Sequence, residues 1–402
     1  MFAKLAQLPK AIQQYLLITI NYWFFTLTDG ALRMLVVLYF YQLGYSAIAI
    51  AMLFLFYEIF GVVTNLVGGW LGARIGLNRT MNIGLWLQVF ALVMLTIPAE
   101  YLTVVYVMVA QALSGIAKDL NKMSAKSSIK TLVPAEQQGL LFKWVALLTG
   151  SKNALKGFGF FLGGLLLTLF GFQISLLLMA GVLAVVALIS ILLLEKALGK
   201  AKTKAKFSQL FAKNASLNYF SAARLFLFAS RDVWFVVALP VYLASHFHWQ
   251  HSEVGAFLAA WIIFYGIIQA LAPKLTGKSK QHTPTAKQMS YWAYGLTLFT
   301  ALLVIALSFF DSHWVITLGL LIFAGIFAIN SALHSYGIVA LAKTDGVSLD
   351  VGFYYMANAL GRLLGTVLSG VVFQLYGIEA CLLIAIFFSI AAAVLVNKVD
   401  LH

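Results

Sequence analysis

Proline and charge are both scarce in this chain. Six prolines in 402 residues leave long stretches with nothing to interrupt a helix. Charged residues make up 10% against 62% hydrophobic, too little polar surface to cover a water-soluble globule. Lipid is therefore the expected solvent. One cysteine, Cys381, excludes an intramolecular disulfide; it lies in the last apolar run and reads as a small core residue. Acids are scarcer than bases, 13 against 27, for a formal charge of +14. In a soluble protein that excess points to nucleic acid. Here membrane topology and contact with anionic lipid account for the extramembrane cations, and no nucleic-acid partner is expected.

Apolar runs long enough to cross a hydrocarbon core of ~30 Å recur along the chain. Breaks at glycine, proline and charge clusters place spans near 15–43, 47–72, 80–98, 101–125, 138–170, 173–194, 216–245, 252–273, 288–310, 313–342, 350–377 and 379–397. The first run is far longer than the core of a signal peptide and contains Asp29 and Arg33, so it reads as a retained helix. Lys4, Lys10, Arg74, Arg79, Lys126, Lys130, Lys143, the Lys196 to Lys213 group, Lys274, Lys278, Lys280, Lys287, Lys343 and Lys398 fall on one side of this arrangement, and the opposite loops carry no Lys or Arg. That side is expected to be the cytoplasm, with both termini inside.

The longest polar stretch, Glu195 to Lys213, separates spans six and seven. Residues 1–194 and 216–402 then form two six-helix bundles joined by a basic cytoplasmic linker at 195–215. An internal repeat supports the division. Asp29 matches Asp232, Gly61 and Gly72 match Gly266 and Gly277, and Asn153-Ala-Leu followed by Gly171 matches Asn358-Ala-Leu followed by Gly377. The expected fold class is all-α integral membrane, with twelve transmembrane helices in two pseudo-symmetric bundles.

This pattern resembles the major facilitator superfamily, whose halves are related by an axis along the membrane normal. The family's loop after the second helix has a counterpart in Gly69-Trp70-Leu71-Gly72-Ala73-Arg74-Ile75-Gly76-Leu77-Asn78-Arg79. Its glycines and Arg74 match. Ala73 stands where the family has Asp, and Leu77 and Asn78 where it has a basic pair, so the charge latch attributed to this loop is at best partial.

Besides Lys143, placed above with the loop cations, eight cations fall within the spans: Arg33, Lys118, Lys122, Lys152, Lys156, Arg224, Arg231 and Arg362. A Lys or Arg at a helix centre costs ~2.5–3.5 kcal/mol on insertion scales, so these side chains are expected to line a watery cavity or to pair internally. Apart from Glu253, Asp350 and Glu379 at span ends, only Asp29, Glu58, Asp119 and Asp232 share the spans with them, and the surplus attracts anions. Lys118 and Lys122, like Lys152 and Lys156, are four residues apart and share a helix face. For Lys118, Lys122 and Arg224 the alternative is snorkelling to the headgroups.

Arginine offers oxyanions a planar fork and lysine a mobile point charge, which suits a phosphoryl or arsenyl compound. Asp29 is placed to pair with Arg33, and Asp232 with Arg231. Asp29 and Asp119 are the proton-coupling candidates, and Asp232 reads rather as a static salt bridge. Asn121, Asn153, Asn358, Tyr354, Tyr355 and Trp234 are candidates to contact an organic moiety or to pack between helices. The substrate-binding set is Arg33, Lys122, Lys152, Lys156, Arg231, Arg362, Asn153, Asn358 and Tyr355. His246, His248 and His251 in an outer loop are open to metal binding or, with Phe247 and Trp249 interleaved, to interfacial placement. Neither cofactor nor enzymatic activity is expected, because the spans hold no metal-ligand cluster or Ser/His/Asp set and little histidine beyond His334.

Five long stretches resemble the organoarsenical efflux permeases of the ArsJ type: Asn21–Leu35, Gly61–Gly84, Ala110–Lys130, Trp144–Gly157 and Ser221–Leu243. The resemblance implies export of 1-arseno-3-phosphoglycerate, the product of a glyceraldehyde-3-phosphate dehydrogenase acting on arsenate, from a bacterial inner membrane, and hence arsenate resistance. Physical chemistry alone asks for a small organic polyanion. An organophosphate/phosphate antiporter of the same fold is the alternative, and protons or another gradient are expected to drive outward release.

Overall fold

The computed structural model describes residues 9–401 except 46–49, 51, 135, 196–197, 203–213 and 278–282. Most of the expected linker, 195–215, therefore lies outside the described residues. Every regular element among those described is helical. The helices are α1 (Lys10–Gln42), α2 (Leu55–Ile75), α3 (Leu77–Met94) and α4 (Val104–Leu132), then Gln138–Leu193, Ala215–His246, α8 (His251–Leu275), α9 (Ala286–Phe309), α10 (His313–Leu341) and Val347–Val396.

Two of these assignments are each a pair of spans. Gly171 breaks the first at φ 72°, ψ 179°, and Gly377 breaks the second at φ 81°, ψ −175°. That region of backbone space is reserved for glycine. Nothing lies within 4 Å of where a Cβ would stand at either position, so conformation and not crowding dictates the residue. The repeat noticed between Gly171 and Gly377 is thus a repeated corner. It yields α5 (138–170) and α6 (172–193), and α11 (347–376) and α12 (378–396). With α7 (Ala215–His246), irregular near Val236, the chain has twelve spans among the described residues.

The chain divides into two compact units. Unit 1 comprises Met1–Gln137, Ser151–Ala212 and Ala342–Met356; unit 2 comprises Gln138–Gly150, Lys213–Leu341 and Ala357–His402. Side chains such as Leu192, Phe161, Phe309 and Phe387 point outward and are largely exposed, as lipid-facing residues should be. The unit 1 core gathers Leu35, Phe40, Leu92 and Phe172; that of unit 2 gathers Trp234, Trp261, Phe323 and Phe327.

Glycines set the helix spacing. In unit 1, Gly159 and Gly163 of α5 press on the backbone of α1 between Leu27 and Ala31, where a Cβ at Gly159 would meet the Leu27 carbonyl at 2.8 Å. In unit 2, Gly361 and Gly365 of α11 press on α7 between Leu225 and Val233, and a Cβ at Gly365 would meet that of Asp232 at 2.8 Å. Each pair is a small-xxx-small stripe of the kind that lets membrane helices approach closely. The same device in each unit brings an α1 or α7 aspartate to the cations beside it.

Within unit 1 the loop after α2 is held by backbone hydrogen bonds. The Leu77 amide donates to the Leu198 carbonyl at 2.8 Å, and the Ala201 amide to the Ala73 carbonyl at 2.9 Å. Ala73, which stands where the family has Asp, serves through its carbonyl. Gly76 turns the chain at φ 101°, and Arg74 lies over the Trp70 ring. The Ser348 hydroxyl donates to the Gly69 carbonyl at 2.7 Å.

Candidate functional site

In unit 1 the cations gather on α1, α4 and α5. Lys118, Lys122 and Lys126 recur every fourth residue along α4 and so share a face. Asp119 sits between the first two: Lys122 Nζ bonds one carboxylate oxygen, and Lys118 Nζ stands 4.0 Å from the other. The room for this carboxylate comes from Gly61 on α2, where a Cβ would stand 3.0 Å from it. Aromatic faces carry the ammonium groups. Lys118 lies 3.7 Å from the centre of the Tyr57 ring, and Lys122 and Lys126 lie 4.9 and 4.7 Å from that of Tyr355.

Lys126 also donates to the Tyr355 hydroxyl and is only 3% exposed. It does not belong with the loop cations on the cytoplasmic side, where the sequence reading put it. The basic residues suggested that span four stops at 125, but α4 runs to Leu132. Ser128 and Thr131 turn their hydroxyls back onto helix carbonyls, which keeps a polar stretch helical.

The α1 groups pair otherwise than expected. Asp29 does not take Arg33 four residues on; it receives Lys156 of α5 at 3.5 Å and the Tyr57 hydroxyl at 2.7 Å. The close α1–α5 crossing puts Lys156 within reach. Arg33 instead meets Glu58 at 3.3 Å and lies over the Phe54 and Tyr57 rings. Lys152 donates to the Asn153 amide oxygen at 3.3 Å. Trp23 ties α1 to this part of α5 through a 2.8 Å bond to Ser151.

In unit 2 the cations are arginines. Arg231 Nε donates to Asp232 at 2.6 Å, and Arg362 Nε donates to its other oxygen at 3.3 Å, so the wholly buried Asp232 is clamped from both sides. That geometry fits the static pairing expected for it. Arg224 is 3% exposed, which rules out snorkelling. Its Nε donates to the Asn358 amide oxygen at 2.9 Å, its guanidinium lies 3.9 Å from the Phe228 ring centre, and Nη1 reaches Ser331 at 3.4 Å. The sequence named Asn358 but left Arg224 between two readings. The signal was the Asn153–Asn358 repeat, since each amide accepts from a cation.

Of the two readings open for Trp234 and Asn121, packing is the one seen. Trp234 is buried edge-on against Trp261 and Phe323 within the core. Asn121 donates to the Ala117 carbonyl at 2.9 Å and fills the space left by Gly84 on α3. Tyr354 is likewise fully buried and meets Tyr355 edge-on. At the end of α7, His246 pairs with Asp311 at 2.8 Å and stacks on Tyr242. The side chain of His251 lies outside the described residues. Among the described residues no group of three or more His, Cys, Asp or Glu side chains gathers as a metal site would require.

The sequence matches the model of the Major Facilitator Superfamily over residues 18–336 and 220–399. The chain belongs to that superfamily. It is therefore a multi-pass membrane transporter of the facilitator kind. A search of curated proteins finds no match. Among solved structures, this facilitator is similar to the human organic anion transporter MFSD10 (TETRAN) at 14% identity and TM-score 0.75, over 97% of this chain and 100% of that one. It is similar to a bacterial homologue of the iron transporter ferroportin in its outward-facing state, at 16% identity and TM-score 0.76, over 96% and 98%. The E. coli fucose:proton symporter FucP matches at 14% identity and TM-score 0.74, over 97% and 99%. At these identities the likeness carries the fold and not the substrate.

Proposed function

We propose that this facilitator exports a small organic polyanion, 1-arseno-3-phosphoglycerate, across a bacterial inner membrane with both termini in the cytoplasm, and so confers arsenate resistance. The observation that carries the polyanion is the buried charge imbalance. In unit 1, Arg33, Lys118, Lys122, Lys126, Lys152 and Lys156 stand with three carboxylates, Asp29, Glu58 and Asp119; in unit 2, Arg224, Arg231 and Arg362 stand with Asp232. Such an excess away from bulk water is stabilised by a multiply charged anion. The arsenyl group rests on the resemblance of Asn21–Leu35 and the four other stretches to organoarsenical permeases. The solved organic anion transporter supports the ligand class only by analogy.

Release follows from the pairing. Asp119 takes two lysines, and Asp29 takes both Lys156 and the Tyr57 hydroxyl, so each carboxylate competes with an incoming oxyanion for its ammonium groups. A carboxylate that yields its lysine to substrate is the group to carry a coupling proton. Alternating access then moves the anion outward.

The test is growth on arsenate of a sensitive host that co-expresses the protein with a glyceraldehyde-3-phosphate dehydrogenase. Resistance is expected, and it should vanish in Arg33→Ala and Lys152→Ala with membrane insertion intact. Near-normal resistance in both, at equal expression, overturns the assigned roles. An organophosphate importer would give no resistance, yet would exchange glycerol phosphate for phosphate in vesicles.

A further inference from the structure

We propose that the groove between α3 and α6 of unit 1 is a binding site for one anionic phospholipid, with the phosphate at Arg79 and an acyl chain along α3. The site is separate from the buried cations and goes beyond the transport reading. The groove has a volume of about 820 Å³, within the range of small-molecule sites, and is open along one side. Its lining holds one charged side chain, Arg79, and no acid; Asn82 lies beside Arg79, and Ile83, Trp86, Phe90 and Ile191 continue the wall. Arg79, Ile83, Trp86 and Phe90 follow at helical spacing and form a stripe on one face of α3. The four apolar side chains are all exposed. Apolar exposure alone marks any lipid-facing surface; this one is set apart by its concave shape and by the charge at one end. Arg79 and Phe90 are eleven residues apart, or ~16 Å at ~1.5 Å per residue, which matches one leaflet of a ~30 Å hydrocarbon core.

The polar end is built of donors. Arg79 is exposed, and among the described residues no carboxylate pairs with it. Its neighbour Arg74, by contrast, already lies over the Trp70 ring. A guanidinium fork takes two phosphate oxygens at once. Asn82, about one turn further along α3, is oriented by a relay. Asn21 Nδ2 donates to Ser190 Oγ at 2.9 Å, so the Ser190 proton goes to Asn82 Oδ1. The Asn82 amide nitrogen is left as a donor beside the groove, one turn deeper than the phosphate, at the level of a phospholipid's ester carbonyls. One cation and one amide donor, with no acid in the lining, give a headgroup ammonium nothing to pair with. The charge complementarity therefore selects a net negative headgroup over a zwitterionic one. On the proposed topology this end faces the cytoplasmic leaflet, where anionic lipid is found.

The test is native mass spectrometry of the purified full-length protein in detergent, titrated with dioleoyl phosphatidylglycerol and, separately, with dioleoyl phosphatidylethanolamine. Wild type is expected to retain one phosphatidylglycerol several-fold more tightly than phosphatidylethanolamine. Arg79→Gln should weaken phosphatidylglycerol by about five-fold, the worth of one basic residue at an anionic surface, and bring the two lipids level. Arg74→Gln changes an exposed cation outside the groove and should leave the preference as it is. Ile83→Trp fills the groove but keeps Arg79, and should weaken both lipids. Equal retention of the two lipids by wild type overturns the site. So does a preference that survives Arg79→Gln or falls equally in Arg74→Gln, or an affinity that Ile83→Trp leaves unchanged.

Discussion

Of the cations grouped above, five of the six in unit 1 are lysines, whereas the three in unit 2 are all arginines, and the carboxylates beside them are held differently. In unit 1, Asp119 is shared between two ammonium groups whose side chains are 14% and 16% exposed, and Asp29 between Lys156 and a tyrosine. In unit 2, Asp232 is locked by two planar forks. Lysine is a compact charge on a flexible stem and can follow an anion; an arginine fork fixes direction and is pre-organised. On the proposed reading the lysine-rich set serves exchange, and the arginine set orientation. The α1–α5 and α7–α11 glycine stripes give both units the same close helix crossing, so the difference lies in the side chains and not in the scaffold.

The comparison is broken most forcefully at its carboxylates. Asp232→Asn removes the buried carboxylate that Arg231 and Arg362 share, and should cost about 1–3 kcal/mol of stability. Asp119→Asn should cost less, because it leaves two ammonium groups on flexible stems that the Tyr57 and Tyr355 rings still face. Thermal unfolding of the two purified variants side by side checks this, and equal losses would contradict the division of roles.

Next in size are the crossings. Gly163→Ala and Gly361→Ala each drive a methyl into a backbone carbonyl of the facing helix, for about 1–3 kcal/mol by overpacking. Similar losses in the two variants are expected from the same assay; a large asymmetry would deny the shared scaffold.

Type swaps have a smaller effect and sharpen the contrast. Lys122→Arg should keep transport within a few-fold, whereas Arg362→Lys, which gives up a fork on Asp232, should lower it by about ten-fold. Initial rates at matched surface expression separate the two. The smallest effect is Tyr57→Phe, which removes one neutral donor from Asp29 while keeping the ring under Lys118, at about 0.5–1.5 kcal/mol in stability.

Spans and corners were legible in the sequence because apolar length and glycine are local signals. Gly171 and Gly377 stood out as a repeat before their backbone angles explained it. Pairing was not legible. Asp29 and Arg33 are one turn apart and looked like partners, yet the glycine stripe of α5 delivers Lys156 to Asp29, and α2 brings Glu58 to Arg33. Lys126 was misread because a lysine-rich, serine-rich helix end looks like a loop until Tyr355 is seen covering it. Trp234 stayed open between two readings because nothing in a single helix tells a ligand-facing aromatic from a core one.

The central claim is that the buried cation surplus serves a small organic polyanion. It is tested most directly by uptake into everted membrane vesicles of 1-arseno-3-phosphoglycerate, generated in situ by the dehydrogenase from arsenate, beside 3-phosphoglycerate and neutral glycerol. Uptake of the arsenylated acid above that of vesicles lacking the protein, and its loss in Lys122→Ala and Arg362→Ala, is the predicted result. Uptake of neither anion, or uptake of the acid that both variants retain, would contradict it.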